Sequence, residues 1–164
     1  LELGTGSGAI AITLACEWKE VHVTAVDISE DALLLAKLNA EKFNVQNKIH
    51  FLKSDWYDNV KGLFDLIISN PPYIGLAEQD ELSAEVIKYD PEIALFAGRD
   101  GLDAYRKIIP SLSKFLNPDG FVALETGAFQ GVQVKNMMNA VGFIDAKIVK
   151  DLSGKDRLVA AKLA

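Results

Sequence analysis

Asn70-Pro71-Pro72-Tyr73 carries more chemistry than any other tetrapeptide in this chain of 164 residues. Two consecutive prolines remove two backbone donors and can continue neither a helix nor an inner strand. A residue that precedes proline is biased toward an extended backbone, which narrows the directions open to the Asn70 side chain. Acceptors then dominate the site: the Asn70 amide oxygen and the Pro71 carbonyl, with Pro72 rigid behind them and the Tyr73 ring alongside. Such an array suits a flat, weakly nucleophilic nitrogen, either a carboxamide or an aromatic exocyclic amine. Accepting its two N–H groups would orient the nitrogen and favour positive charge as it develops. The plain alternative is a proline turn closing the apolar run Phe64–Ser69.

A second cluster opens the chain, Glu2-Leu3-Gly4-Thr5-Gly6-Ser7-Gly8. The spacing is G-x-G-x-G, not the G-x-G-x-x-G of a dinucleotide fingerprint, and a tight strand-to-helix turn would account for it alone. Asp27 strengthens the ligand reading, because it stands 19 residues past Gly8 at the end of a β-branched run, followed by Ile28. An acid there can accept both hydroxyls of a ribose. Nicotinamide dinucleotides and S-adenosyl-L-methionine both offer that ribose. The carboxylate of Glu2 favours the second, since it attracts a sulfonium and repels a pyrophosphate. Asp55-Trp56 adds a carboxylate for an adenine amino group and an aromatic surface beside the base. The expected cofactor is therefore S-adenosyl-L-methionine, held by Glu2, Gly4, Thr5, Gly6, Gly8, Asp27, Ile28, Asp55, Trp56 and Asn70. No metal is expected, as His22 and His50 fall in separate strands without partners at ligand spacing. Cys16, on an apolar helix, is expected in the core, and Ser7 and Ser69 have no His–Asp arrangement to activate them.

The elements that must carry these residues alternate strand and helix, the pattern of a mostly parallel sheet covered on both faces. Strands are expected to end at Leu3 and to span Val21–Val26, Ile49–Lys53, Phe64–Ser69, Phe121–Glu125, Phe143–Val149 and Arg157–Lys162, the last two as an antiparallel hairpin. Helices are expected over Ala9–Glu17 (buried all round), from a Ser29 cap, over Gly101–Leu116 and over Val132–Val141. Asn117-Pro118-Asp119-Gly120 reads as a turn. Between Ile74 and Asp103 the pattern loosens around a short helical patch near Asp80–Ile87, in a connection long enough to be functional.

Net charge is −6, with residues 135–164 holding 6 basic and 3 acidic groups against a strongly acidic remainder. That balance excludes a general nucleic-acid clamp. The basic closing hairpin could meet an RNA-rich partner, or serve as a charged sheet edge. Apolar runs such as Ala9–Cys16 are too short for a membrane helix, and a single cysteine fits a reducing compartment.

In order, Leu-Glu2-Leu-Gly4-Thr-Gly6-Ser-Gly8, Ala-Val-Asp27, Ser-Asp55-Trp56 and Asp65-Leu-Ile-Ile-Ser-Asn70-Pro-Pro-Tyr73 resemble the release factor glutamine methyltransferase family among the class I methyltransferases. Tyr89-Asp-Pro91 through Gly101-Leu-Asp-Ala-Tyr105-Arg106 and Asp151-Leu-Ser-Gly-Lys-Asp156-Arg157 extend the likeness along essentially the whole chain. The resemblance implies a doubly wound, Rossmann-like, seven-stranded sheet with its last strand antiparallel, in one methyltransferase domain. It implies methylation of the glutamine amide in the Gly-Gly-Gln motif of peptide-chain release factors. Asn70, Pro71 and Tyr73 would be catalytic, and Asn70, Pro71, Pro72 and Tyr73 would bind substrate. The chain departs from the family pattern at Glu2, commonly Asp, and at Glu125-Thr126-Gly127, usually Glu-Ile-Gly. The family's helical N-terminal recognition domain and part of the first strand are absent from this sequence. A cytoplasmic monomer is expected, with a release factor as partner, no membrane and no general nucleic-acid binding. The rival readings are an adenine or guanine amino methyltransferase, a non-catalytic module that keeps the cofactor fold, and, more distantly, an oxidoreductase.

Overall fold

A computed structural model describes residues 1–75, 95–143 and 145–163. Seven strands form one sheet: β1 (Glu2–Leu3), β2 (Val23–Asp27), β3 (Ile49–Lys53), β4 (Phe64–Ser69), β5 (Leu116–Glu125), β6 (Lys147–Lys150) and β7 (Asp156–Lys162). Their order is β3-β2-β1-β4-β5-β7-β6, and β7 alone runs opposite to the other six. The described helices of more than one turn are α1 (Ala9–Glu17), α2 (Glu30–Lys42), α3 (Asp103–Ile108), α4 (Leu112–Phe115) and α5 (Gly131–Ala140).

Strand alternation builds two cores. Val23 and Ala25 of β2 face Ala11, Ile12 and Ala15 of α1 and Ala40 of α2. Val26 points the other way, into a larger cluster with Leu3, Ile67, Val122 and Leu124, closed by Tyr105 and Ile108 of α3 and Met138 of α5. Helices on both faces of a parallel sheet make the fold doubly wound, as the alternating pattern requires. Chain order reverses between β1 and β4, and the register Leu3↔Ser69 leaves Gly4 and Asn70 as the next residues at that reversal. Open α/β sheets bind ligands in the crevice there.

Several expectations change. Cys16 is exposed rather than in the core, because α1 lies on the sheet with one side only and turns Thr13, Cys16 and Glu17 to solvent. The single helix expected over Gly101–Leu116 is broken into α3, a 3-10 turn at Ile109–Ser111 and α4. Pro110 lacks the N–H that would bond the carbonyl of Arg106. β5 begins at Leu116, not Phe121, and Asn117–Gly120 bulges from it: the register passes from Phe64↔Leu116 to Leu66↔Phe121. Asn117 Nδ2 donates to Asp65 Oδ1 at 2.8 Å and Leu163 N to Gly120 O at 2.8 Å, so both neighbouring strands hold the bulge. Phe143 precedes β6 rather than opening it, and is 1% exposed in the larger core. The helical patch expected near Asp80–Ile87 lies outside the described residues.

Candidate active site

The glycine loop is held from beneath. Glu2 is 1% exposed, and its Oε2 accepts from Thr5 Oγ1 at 2.6 Å and from Ala11 N at 3.1 Å. One carboxylate thus joins the end of β1, the loop and the first turn of α1. Burial pushes the Glu2 carboxyl up from 4.5 to about 7, with the Thr5 and Ala11 hydrogen bonds opposing the shift. The sequence expects the Glu2 carboxylate near a cationic ligand, and in the structure it lies under the loop, bonded to Thr5 and Ala11. Gly8 has φ +83, and a side chain there would meet Ala36 Cβ at 3.0 Å, so glycine is required where α1 crosses α2.

Asp27 closes the loop from the side. Its Oδ2 accepts from Gly6 N at 2.8 Å and its Oδ1 from Ser29 N at 3.0 Å. Each carboxylate oxygen keeps a second lone pair for a diol. Ser29 then caps α2, accepting from Ala32 N at 3.2 Å, with Glu30 and Asp31 in the first turn. Ile28, between Asp27 and the cap, is exposed. Ser54 N donates to Asp27 O at 3.0 Å, bringing the exposed Asp55 beside Asp27. Trp56 adopts φ 48, an uncommon region for a bulky residue, and its half-buried ring borders Gly4. The expected cofactor residues therefore converge, with Glu2 and Thr5 buried and Gly4, Gly6, Asp27, Asp55 and Trp56 reachable.

Across the reversal, Ser69 Oγ donates to Leu3 O at 2.7 Å and locks β4 to β1. Asn70 is exposed, Pro71 buried, and Pro72 and Tyr73 half-buried. Tyr73 packs on the larger core. Ile74 N donates to Leu95 O and Ala97 N to Ile74 O, both at 3.0 Å, so the chain leaving the tetrapeptide returns beside it. Arg106 then clamps the return: its guanidinium meets both carboxylate oxygens of Asp100, at 2.9 and 2.6 Å, and Asp103 at 2.7 Å. That pairing holds the Asp100 carboxyl down at about 2. Tyr105, fully buried, donates from its hydroxyl to Glu125 O at 2.7 Å, which ties α3 to the end of β5.

Gln130 escaped the sequence reading. It is 9% exposed, its Nε2 donates to Tyr73 O at 2.8 Å, and Asp100 O and Gly101 O both lie at 3.4 Å. Its Oε1 accepts from Gly127 N at 3.2 Å. The available signal was a glutamine directly before a helix, too common to single out. Nearby, Thr126 is 0% exposed and its hydroxyl has no partner among the described residues, at the position where the sequence departs from the family pattern.

A cleft of about 600 Å³ lies at the other, amino edge of the sheet, between Leu1, Trp18, His22 and Leu66, away from these residues. Among the described residues, no three His, Cys, Asp or Glu groups are placed to hold a metal ion. No described helix is long and apolar enough to cross a membrane.

Fold and site together define a doubly wound α/β domain with an acid at the end of β2, a glycine loop after β1 and a two-proline turn after β4 at one edge of the sheet. The family described as methyltransferase small domain matches residues 1–100, and the chain belongs to it. A bifunctional methyltransferase of Rickettsia felis is 45% identical over 160 residues, covering 97% of this chain and 30% of that protein. A release factor glutamine methyltransferase of Cereibacter sphaeroides is 44% identical over 163 residues, covering 99% of this chain and 59% of that protein. The chain thus spans from under a third to about three-fifths of these relatives. A crystal structure of a methyltransferase from Pyrococcus furiosus superposes with a TM-score of 0.70 at 25% identity, over 98% of this chain and 72% of that one.

Proposed function

We propose that this chain is the catalytic domain of an S-adenosyl-L-methionine-dependent methyltransferase. Its substrate would be the side-chain amide nitrogen of the glutamine in the Gly-Gly-Gln motif of peptide-chain release factors. The observation that carries the reading is the exposed Asn70, at the head of a two-proline turn and one strand away from the glycine loop. The residues present fit the cofactor: Asp27 retains acceptor capacity for a ribose diol, Asp55 stands free for an amino group, and Trp56 offers a flat apolar surface. When bound, that cofactor supplies a methyl group on a sulfonium centre.

The chain's own part is to make a poor nucleophile effective. A carboxamide nitrogen shares its lone pair with its carbonyl, so it reacts only when held in line and when its growing positive charge is met by acceptors. Asn70 Oδ1 and the Pro71 carbonyl would accept its two N–H groups, while the prolines keep those acceptors from turning away. Tyr73 would wall the pocket. Relatives named release factor glutamine methyltransferase support the protein substrate over a nucleobase, as does the acidic charge of −6.

Titration calorimetry with S-adenosyl-L-methionine and NAD separately, then methyl-transfer assays on a release factor and on duplex DNA, test the proposal. Binding of the first ligand alone and methylation of the Gly-Gly-Gln glutamine are expected. Transfer to a nucleobase instead would reassign the substrate, and binding of NAD alone would overturn the whole reading.

A further inference from the structure

We propose that Gln130 is a positioning residue, whose single carboxamide sets the pitch of the Asn70–Tyr73 turn. The group sits where three distant pieces of chain meet. Its Nε2 donates to Tyr73 O at 2.8 Å and lies 3.4 Å from Asp100 O and Gly101 O, while its Oε1 accepts from Gly127 N at 3.2 Å. The tetrapeptide, the return of the following segment and the exit of β5 are therefore joined through one side chain.

The chemistry of the link is specific. Carbonyls from residues 73, 100 and 101 demand a donor, and the Gly127 N–H demands an acceptor. A carboxamide supplies both at this reach, a carboxylate supplies only acceptors and an ammonium only donors. The packing admits little else. A side chain on Gly101 would collide with the Tyr73 carbonyl, and one on Gly127 would come within 3.0 Å of Gln130 Oε1 and 3.3 Å of the Tyr73 ring.

Tyr73 is also where such a link has leverage. Pro71 and Pro72 fix their own φ angles, so the turn behaves as a short rigid arm. With two φ angles fixed, fewer torsions lie between the Tyr73 peptide and Asn70 to absorb a rotation. With the Tyr73 carbonyl pinned and Ile74 paired to Leu95 and Ala97, the arm is held at its base. A misplacement near 1 Å at the reacting centre costs on the order of a hundredfold in rate.

The catalytic consequence rests on the proposed amide methyl transfer, whereas the link itself does not. Two variants test both. Gln130→Glu turns acceptors toward the carbonyls with almost no change in shape, and Gln130→Met keeps the length without either polar group. In both, kcat for methylation of a release factor should fall by about ten- to a hundredfold. Cofactor affinity should change by less than about twofold, because Gly4, Gly6 and Asp27 do not touch Gln130. A purely structural role would lower the melting temperature while leaving kcat per folded molecule intact. In parallel, hydrogen exchange at the Ile74 and Ala97 amides should accelerate in the variants more than in β2 or β3. Unchanged exchange at both amides overturns the link whatever the enzyme does. Faster exchange with unchanged kcat overturns the positioning role. A wild-type chain that binds cofactor yet leaves glutamine unmethylated defeats the substrate reading instead, and the exchange result still decides the link.

Discussion

At the carboxyl ends of β1 and β2, polar groups close on one another over short distances: Glu2 on Thr5 and Ala11, Asp27 on Gly6 and Ser29, Ser29 on Ala32. At the ends of β4 and β5 the arrangement is different. Asn70 presents an exposed carboxamide, Thr126 buries a hydroxyl without a partner among the described residues, and the turn is held by residues 97–106 and by Gln130. The first region is closed by hydrogen bonds made within it. The second leaves the Asn70 carboxamide exposed, at the head of a turn that segments distant in sequence hold in place. Such an asymmetry suits a cofactor that always binds in one way and a substrate nitrogen that must be gripped, reacted and released.

The comparison predicts that damage in one region leaves the other intact. The largest effect is expected from Asn70→Ala, which should slow methyl transfer by about a thousandfold, the upper scale for losing one preorganised hydrogen-bonding group. Cofactor affinity measured by calorimetry should fall far less, by under about tenfold, since Asn70 stands at the end of the strand beside the glycine loop and makes none of the loop's own hydrogen bonds. Asp27→Ala should do the reverse and weaken cofactor binding by about a hundredfold, roughly 2.7 kcal/mol, since it removes a charged acceptor from the loop and from the ribose. Equal losses of cofactor affinity in the two variants would erase the division between the regions.

A smaller effect should follow from Glu2. The folded chain keeps a proton on this carboxyl up to about pH 7, whereas the unfolded chain releases it near the ordinary value of 4.5. Between those limits the native state binds more protons than the unfolded one, so stability should fall as pH rises through the window, by on the order of 2–3 kcal/mol in total. Denaturant melts across that range should show the slope, and Glu2→Gln should flatten it. A parent chain with no slope there would mean that water reaches the carboxylate. The smallest change belongs to the other region: Thr126→Val should raise stability by about 1 kcal/mol, because it removes a buried hydroxyl with no partner among the described residues. Destabilisation by that variant would show that the hydroxyl has a bond in solution.

The two regions were not equally legible. Strand-to-helix turns, the Ser29 cap, the glycine loop and Asp27 follow from neighbours within a few residues, so their types and spacing suffice. Asn70-Pro71-Pro72-Tyr73 was visible too, because proline acts on the residue beside it. Local rules failed where distant groups intervene. Asn117–Gly120 has the composition of a turn, yet Asp65 and Leu163 hold it as a bulge within a strand. Cys16 has an apolar neighbourhood in sequence but an exposed place on the helix, because the sheet covers one side of α1.

By itself, then, the sequence determined the alternation of strands and helices, the doubly wound sheet, the glycine turn and Asp27 at strand ends, and the acceptor chemistry of the two-proline turn. Each rests on backbone restriction or periodicity acting over one or two turns of chain. Only the tertiary structure decided that Glu2 works beneath the loop, that the order of strands puts Gly4 next to Asn70, and that Gln130 joins residues 73, 101 and 127. The last two depend on contacts between segments far apart in sequence, and the first on how the loop folds back over β1, a geometry that exists only once the two cores have packed against the sheet.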